Sequence, residues 1–352
     1  MSARTHLQAR PPCATTGIGS LPHNDLATAL ELSLRHDLPY LPQLPSGRPA
    51  ELMLPAALSG LPGLQVDPAG DCRVDLPTWR GGTDALAARL HRPTEQILAT
   101  FEPLPQASIA FHPFLAEVRS RHLPVAKVQL AGPATLRWLT PTSDGRRACD
   151  VPALDQQLFE LTHARALALA LAVRRAGATP VVFLDEPGLA ILDPSLPEHQ
   201  LVLRELALLT QSLQQVGAAV GLHCCANTHW PSVLGLGLDL IAIDARLSLD
   251  ALLEDTPAWH RFVASGGALC AGVVPTDPSA QYVLAELLES VEASLRATCP
   301  PHLEFEALLR SVVLTPACGL ALRPPGACAR IISELQQAQL HFRELCSPSV
   351  AG

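Results

Sequence analysis

An imidazole and a thiol stand two residues apart at the end of a short apolar run, Val220-Gly221-Leu222-His223-Cys224-Cys225-Ala226-Asn227. In a strand, residues i and i+2 face the same side, so His223 and Cys225 can hold one soft cation while Cys224 points the other way. Neutral imidazole and thiolate are the ligand types that suit zinc. A packed cysteine beside a hydrogen-bonded histidine would leave the same letters. A third donor far downstream, Cys318 in Leu314-Thr315-Pro316-Ala317-Cys318-Gly319-Leu320, favours the metal. A free thiol of pKa about 8.5 is only slightly ionised at neutral pH, whereas a coordinating thiol is deprotonated outright. Three protein ligands with one exchangeable position describe a catalytic zinc. Two thiolates neutralise that ion, so a sulfur bound to it would stay nucleophilic, which favours alkyl transfer over hydrolysis.

Such donors need strands that end at one place. Apolar runs centred on Ile18, Tyr40, Val128, Val182, Leu222, Ile241, Gly272 and Val313 read as eight strands. They alternate with helical patterns over residues 25–35, 155–176, 198–216, 279–296 and 327–345. Continuous apolar strands between helices are parallel and covered on both faces. The expected fold is therefore α/β, a single (β/α)8 TIM barrel, with a doubly wound sheet as runner-up. One domain spans residues 1–352, with a core over 14–345 and a long insertion after strand two, 45–123, which carries helical stretches over 50–58 and 83–100 and a turn-rich piece over 60–82. Asn24 is placed to cap the first helix. At the C-terminal strand ends, where a barrel keeps its site, fall Gly19-Ser20, Asp185-Glu186-Pro187, His223-Cys224-Cys225, Asp244 and Cys318-Gly319.

Composition narrows the classes. The chain of 352 residues carries a net charge of −8 and no basic run, which argues against nucleic acid or an anionic membrane as partner. No apolar run reaches the length of a membrane span, and no export signal is visible. Ten irregularly spaced cysteines in so large a chain read as reduced thiols, which points to the cytoplasm. Lys127 is the only lysine and reads as a bias of composition toward arginine.

Thr16-Gly17-Ile18-Gly19-Ser20-Leu21-Pro22, Phe183-Leu184-Asp185-Glu186-Pro187, His223-x-Cys225 and Pro316-Ala317-Cys318-Gly319-Leu320, in this order, together resemble the catalytic C-terminal barrel of the cobalamin-independent methionine synthase family. His223-Cys224-Cys225-Ala226-Asn227-Thr228 is also similar to the wider superfamily of uroporphyrinogen decarboxylases and zinc methylcobamide:thiol methyltransferases. The resemblance implies a cytoplasmic, zinc-dependent methyltransferase of methionine biosynthesis that methylates homocysteine. It implies Zn2+ on His223, Cys225 and Cys318, with Asp244 at the position of the fourth ligand. It makes Asp185 and Ser20 catalytic residues, with Asp185 on the substrate's amino group, Ile18, Gly19 and Ser20 on its carboxylate, and Glu51 as a second amine-binding carboxylate. The methyl donor is methyltetrahydrofolate or a methyl-corrinoid, including one carried by a corrinoid protein. The lack of a lysine cluster and of a proton-donor histidine in Gly272-Val273-Val274-Pro275-Thr276 favours the corrinoid. The alternatives are a methylcobamide:thiol methyltransferase and, in another class, a barrel that binds zinc without catalysis.

Overall fold

Residues 3–346 are described by the computed structural model. Among the described residues there are nine strands: β1 (Ala14–Thr15), β2 (Leu64–Val66), β3 (Cys72–Val74), β4 (Val125–Ala131), β5 (Thr179–Asp185), β6 (Ala219–Cys224), β7 (Leu240–Asp244), β8 (Ala268–Val274) and β9 (Val313–Pro316). β2 and β3 form a separate antiparallel hairpin within the turn-rich stretch of the insertion. The other seven build one parallel sheet in the order β1-β9-β8-β7-β6-β5-β4.

This sheet corrects the expectation of a closed (β/α)8 TIM barrel. It curls through 220° into an open half-barrel whose edges stand 11 Å apart. That gap equals about two interstrand spacings of 4.8 Å, the width of one missing strand. The segment expected to be the second strand, around Tyr40, runs through the gap but does not make a ladder. Leu38 donates to the carbonyl of Thr15 and Leu41 to that of Lys127, Lys127 donates to Pro39, and Gln43 donates to Gly19. Only isolated bridges result, Tyr40 to Lys127 and Ser20 to Gln43. Pro39 and Pro42 have no N–H to give, and proline interrupts a central strand for that reason. Beyond Lys127 the carbonyl of Leu41 takes a side chain, Gln129 Nε2 at 2.8 Å, instead of a backbone donor. The first strand is also shorter than its apolar run: Ile18 lies past its end.

Strand parity sorts the side chains into two cores. Val125, Val181, Phe183, Ala219, Leu240, Ala242, Cys270 and Val313 cluster on the inner face together with Ala3 and Leu7 of the helix Ala3–Gln8, which covers this end of the half-barrel. Val128, Val182, Leu184, Val220, Leu222, Ile241, Ile243 and Leu269 pack outward against the surrounding helices. Cys224 belongs to the outward set, so His223 and Cys224 sit on opposite faces as a period of two requires.

The first long helix, Leu26–Leu34, is capped by Asp25, whose carboxylate accepts from the backbone N–H of Thr28 at 2.7 Å, and not by Asn24. In the insertion, the helix expected over residues 83–100 is two, Leu76–Leu90 and Glu95–Ala99. Pro93 follows Arg92, which has a positive φ of 47°, and a helix cannot continue through that pair. The insertion has its own core: Leu58, Trp79, Leu86 and Phe101 pack with Leu154, Leu158 and Leu161 of the helix Pro152–Arg175.

Candidate metal centre

His223 on β6, Cys225 just past its end and Cys318 just past β9 each offer one donor atom, and the three atoms lie within 4.8 Å of one another. A tetrahedral zinc with Zn–S bonds of about 2.3 Å holds its sulfurs roughly 3.8 Å apart. Closure on an ion therefore asks for about 1 Å of movement. Nδ1 of His223 is buried without a partner, an orphan that a coordinated or ligand-bonded imidazole would resolve. The Cys318 thiol hydrogen-bonds both Cys225 and His223; its bond with Cys225 and its burial push it up to about 12, while the same bond holds Cys225 below the ordinary thiol range. Within the thiol pair Cys225 is the more readily ionised, and a cation would favour the thiolate form of both. Cys225 and Cys318 are both partly exposed, so an ion could enter and leave. The donor set fits a borderline-soft divalent ion such as zinc.

The other residues singled out in the sequence divide in two. Asp185 is brought to the centre: it pairs in register with His223, is 8% exposed, and its Oδ1 has no partner. Burial raises its pKa, against the pull of His223 and Lys127. Ser20 is brought there too, against the Cys318 turn. Its carbonyl accepts from Leu320 at 2.9 Å and its Oγ from Ala321 at 3.4 Å. Gly319 lets the turn approach this closely, since a Cβ there would stand 2.2 Å from Ser20 Oγ and the hydroxyl would have to rotate away. Gly19 lies against Gln129 and Gln43, and the carbonyl of Ile18 accepts from Lys127 Nζ at 2.6 Å.

Two carboxylates are committed elsewhere. Asp244 caps the helix Ala245–Glu254, with Oδ1 accepting from Arg246 at 2.9 Å and Leu247 at 3.3 Å, and it is not within the ligand cluster. Glu51 spends one oxygen on the N–H of Leu44 (2.9 Å) and the other on that of Ile109 (3.1 Å), pinning the start of the insertion to its end. Trp138 is packed, with its ring 4.4 Å from that of His199. His229 caps the short helix Trp230–Leu234.

Two residues matter more than their letters suggested. Glu186 is fully buried and accepts from the N–H groups of Ala134 (3.0 Å) and Thr135 (2.7 Å) and from the Thr135 hydroxyl (2.6 Å), which ties the β5 end to the helix Pro133–Leu139. Lys127 is not a compositional accident. Its ammonium lies on the inner face, bonded to Ile18 and to Gln129 Oε1 (3.2 Å) and 4.8 Å from the Phe183 ring. Burial lowers it to about 8. A lone lysine inside the all-apolar run Val125-Ala126-Lys127-Val128 was the available signal.

No family model matches the chain, and no curated protein is similar to it. With an open seven-stranded sheet in place of the closed barrel, this corrects the resemblance to the methionine synthase family. It also corrects the expectation of an enzyme, a methyltransferase of methionine biosynthesis. Of the residues assigned to that reaction, Glu51 and Asp244 hold backbone amides. What stands is a cluster of one histidine and two cysteines that could coordinate a metal ion. Among the described residues, no helix is long and apolar enough to cross a membrane.

Proposed function

We propose that the protein binds zinc at His223, Cys225 and Cys318 without catalysing a reaction, holding the ion for storage or for sensing. The observation that carries this reading is the convergence of one imidazole and two thiols within 4.8 Å at partly exposed strand ends. Its thiolates would give the ion affinity, and an incomplete protein shell would let it exchange. The fourth position would be filled from solution by water or a small thiol. Homocysteine remains the partner proposed for it, as a ligand: the sulfur would meet the ion, and the unpartnered Asp185 carboxylate would take the ammonium.

Metal content decides the matter. The expected result is one zinc per chain with a sulfur-rich X-ray absorption signature, lost in Cys225→Ser and Cys318→Ser with an affinity drop of more than about a hundredfold. Cys224→Ser keeps the ion, because that thiol belongs to the outward core and bonds the carbonyl of Ala226 at 3.2 Å. Equal loss in all three variants would refute the site.

A further inference from the structure

We propose a second ligand site, for a small monocarboxylate such as acetate, in a cavity between the insertion and the edge of β4 that borders the open seam. The walls are largely apolar, with Met53 and Phe101 on the insertion side and Leu130 and Leu169 on the other. Two polar side chains line it without being satisfied. Ser108 Oγ and Arg165 Nε are buried and have no hydrogen-bond partner, and the residues are 6% and 8% exposed. A buried polar atom left unpaired costs about 1–3 kcal/mol, and more when it belongs to a charged group.

Arg165 is the sharper anomaly. Its Nη1 and Nη2 donate to the carbonyls of Ala56 and Ser59, at the C-terminal end of the helix Met53–Leu58. That end explains two of its nitrogens and leaves both Nε and the net charge unanswered. No carboxylate forms an ion pair with it among the described residues, and the charge acting on it is another arginine, Arg89, which with burial lowers its pKa to about 10. Buried charges are ordinarily paired. An arginine and a serine in the walls of one apolar cavity, each with a buried polar atom left unpaired, fit a carboxylate with a short apolar tail. Glu51, whose side chain reaches the residue after Ser108, has both oxygens on backbone amides and is not available for the role.

Size limits the occupant. The centre of a water molecule can range over about 40 Å³ of the cavity, room for roughly three waters or a molecule of a few heavy atoms. This site stands apart from the metal centre: it uses none of its ligands, and zinc binding does not depend on it.

The test is titration of the full-length, zinc-loaded protein with sodium acetate by calorimetry, with sodium chloride at equal ionic strength as control. Expected is saturable binding of one acetate per chain, weakened at least about tenfold in Arg165→Met and about threefold in Ser108→Ala. Arg165 also holds the end of a helix, so if Arg165→Met does not fold, Ser108→Ala decides, because its hydroxyl makes no bond in the protein. No saturable heat with acetate, the same heat with chloride, or unchanged affinity in Ser108→Ala would each overturn the site.

Discussion

The two ends of the half-barrel's inner face are built from the same strands and treat polar groups in opposite ways. Near the strand starts, Val125, Val181, Ala219, Leu240 and Val313 fill the space under the helix Ala3–Gln8. A buried charge in the layer above them, Lys127, is bonded to Ile18 and Gln129. Two residues further along β5 and β6 the register brings Asp185 beside His223, and each keeps a buried atom without a partner. Burying a polar atom unpaired is unfavourable wherever it happens. A chain that satisfies its lysine on one layer leaves a buried carboxylate oxygen and an imidazole nitrogen open on the next, where a ligand from outside could pair them. The lower layers carry stability, and the upper one holds the cluster that could coordinate a metal ion.

That division predicts unequal costs. The largest effect belongs to the lower layers: Phe183→Ala removes a ring that is 1% exposed and should destabilise the fold by about 3–5 kcal/mol in urea unfolding, with zinc content per folded chain unchanged. A loss below about 1 kcal/mol would mean that the inner face is not packed as a core. Next comes Gly221→Ala. A Cβ there would stand 2.5 Å from the same ring, and overpacking of this kind costs about 1–3 kcal/mol. The contrasting variant at the mouth, Gly319→Ala, meets only the rotatable Ser20 hydroxyl at 2.2 Å; it should cost less than Gly221→Ala in the same unfolding series.

How far the sequence carries such an account depends on where each signal is local. The cluster that could hold a metal was partly legible because strand parity is a local rule: His223 and Cys224 must face opposite ways once residues 219–224 form a strand, and they do. Barrel closure was not legible, because it depends on whether one segment can pair on both edges. The run around Tyr40 has the apolar character of a strand, but Pro39 and Pro42 leave it with too few donors to make a ladder. Carboxylate roles were the least legible. Glu51, Asp185, Glu186 and Asp244 are the same functional group, and only their neighbours in space separate three anchors of backbone amides from the one with a buried oxygen left unpaired.

The smallest predicted effect also tests the contrast most directly. Burial holds the Asp185 carboxyl above the ordinary aspartate range, so the folded protein binds that proton more tightly than the unfolded chain does. The stabilisation linked to the protonated form is fully present below the unfolded pKa of about 3.9 and is lost as pH rises through the folded value. Above that folded value the metal-free protein carries an ionised, incompletely bonded carboxylate, against which only the pull of His223 and Lys127 acts. Asp185→Asn removes the charge at nearly constant shape. In chelator-treated protein the variant should be more stable than the wild type by about 1–2 kcal/mol once the pH lies above the folded value, and the difference should shrink as the pH falls through it. Zinc should shrink it as well, since a cation on the adjacent His223, Cys225 and Cys318 would give the carboxylate a counter-charge. A variant no more stable than the wild type in chelator at any pH above about 4 would show that Asp185 is satisfied in the metal-free fold, and the upper layer would then differ from the lower in composition only.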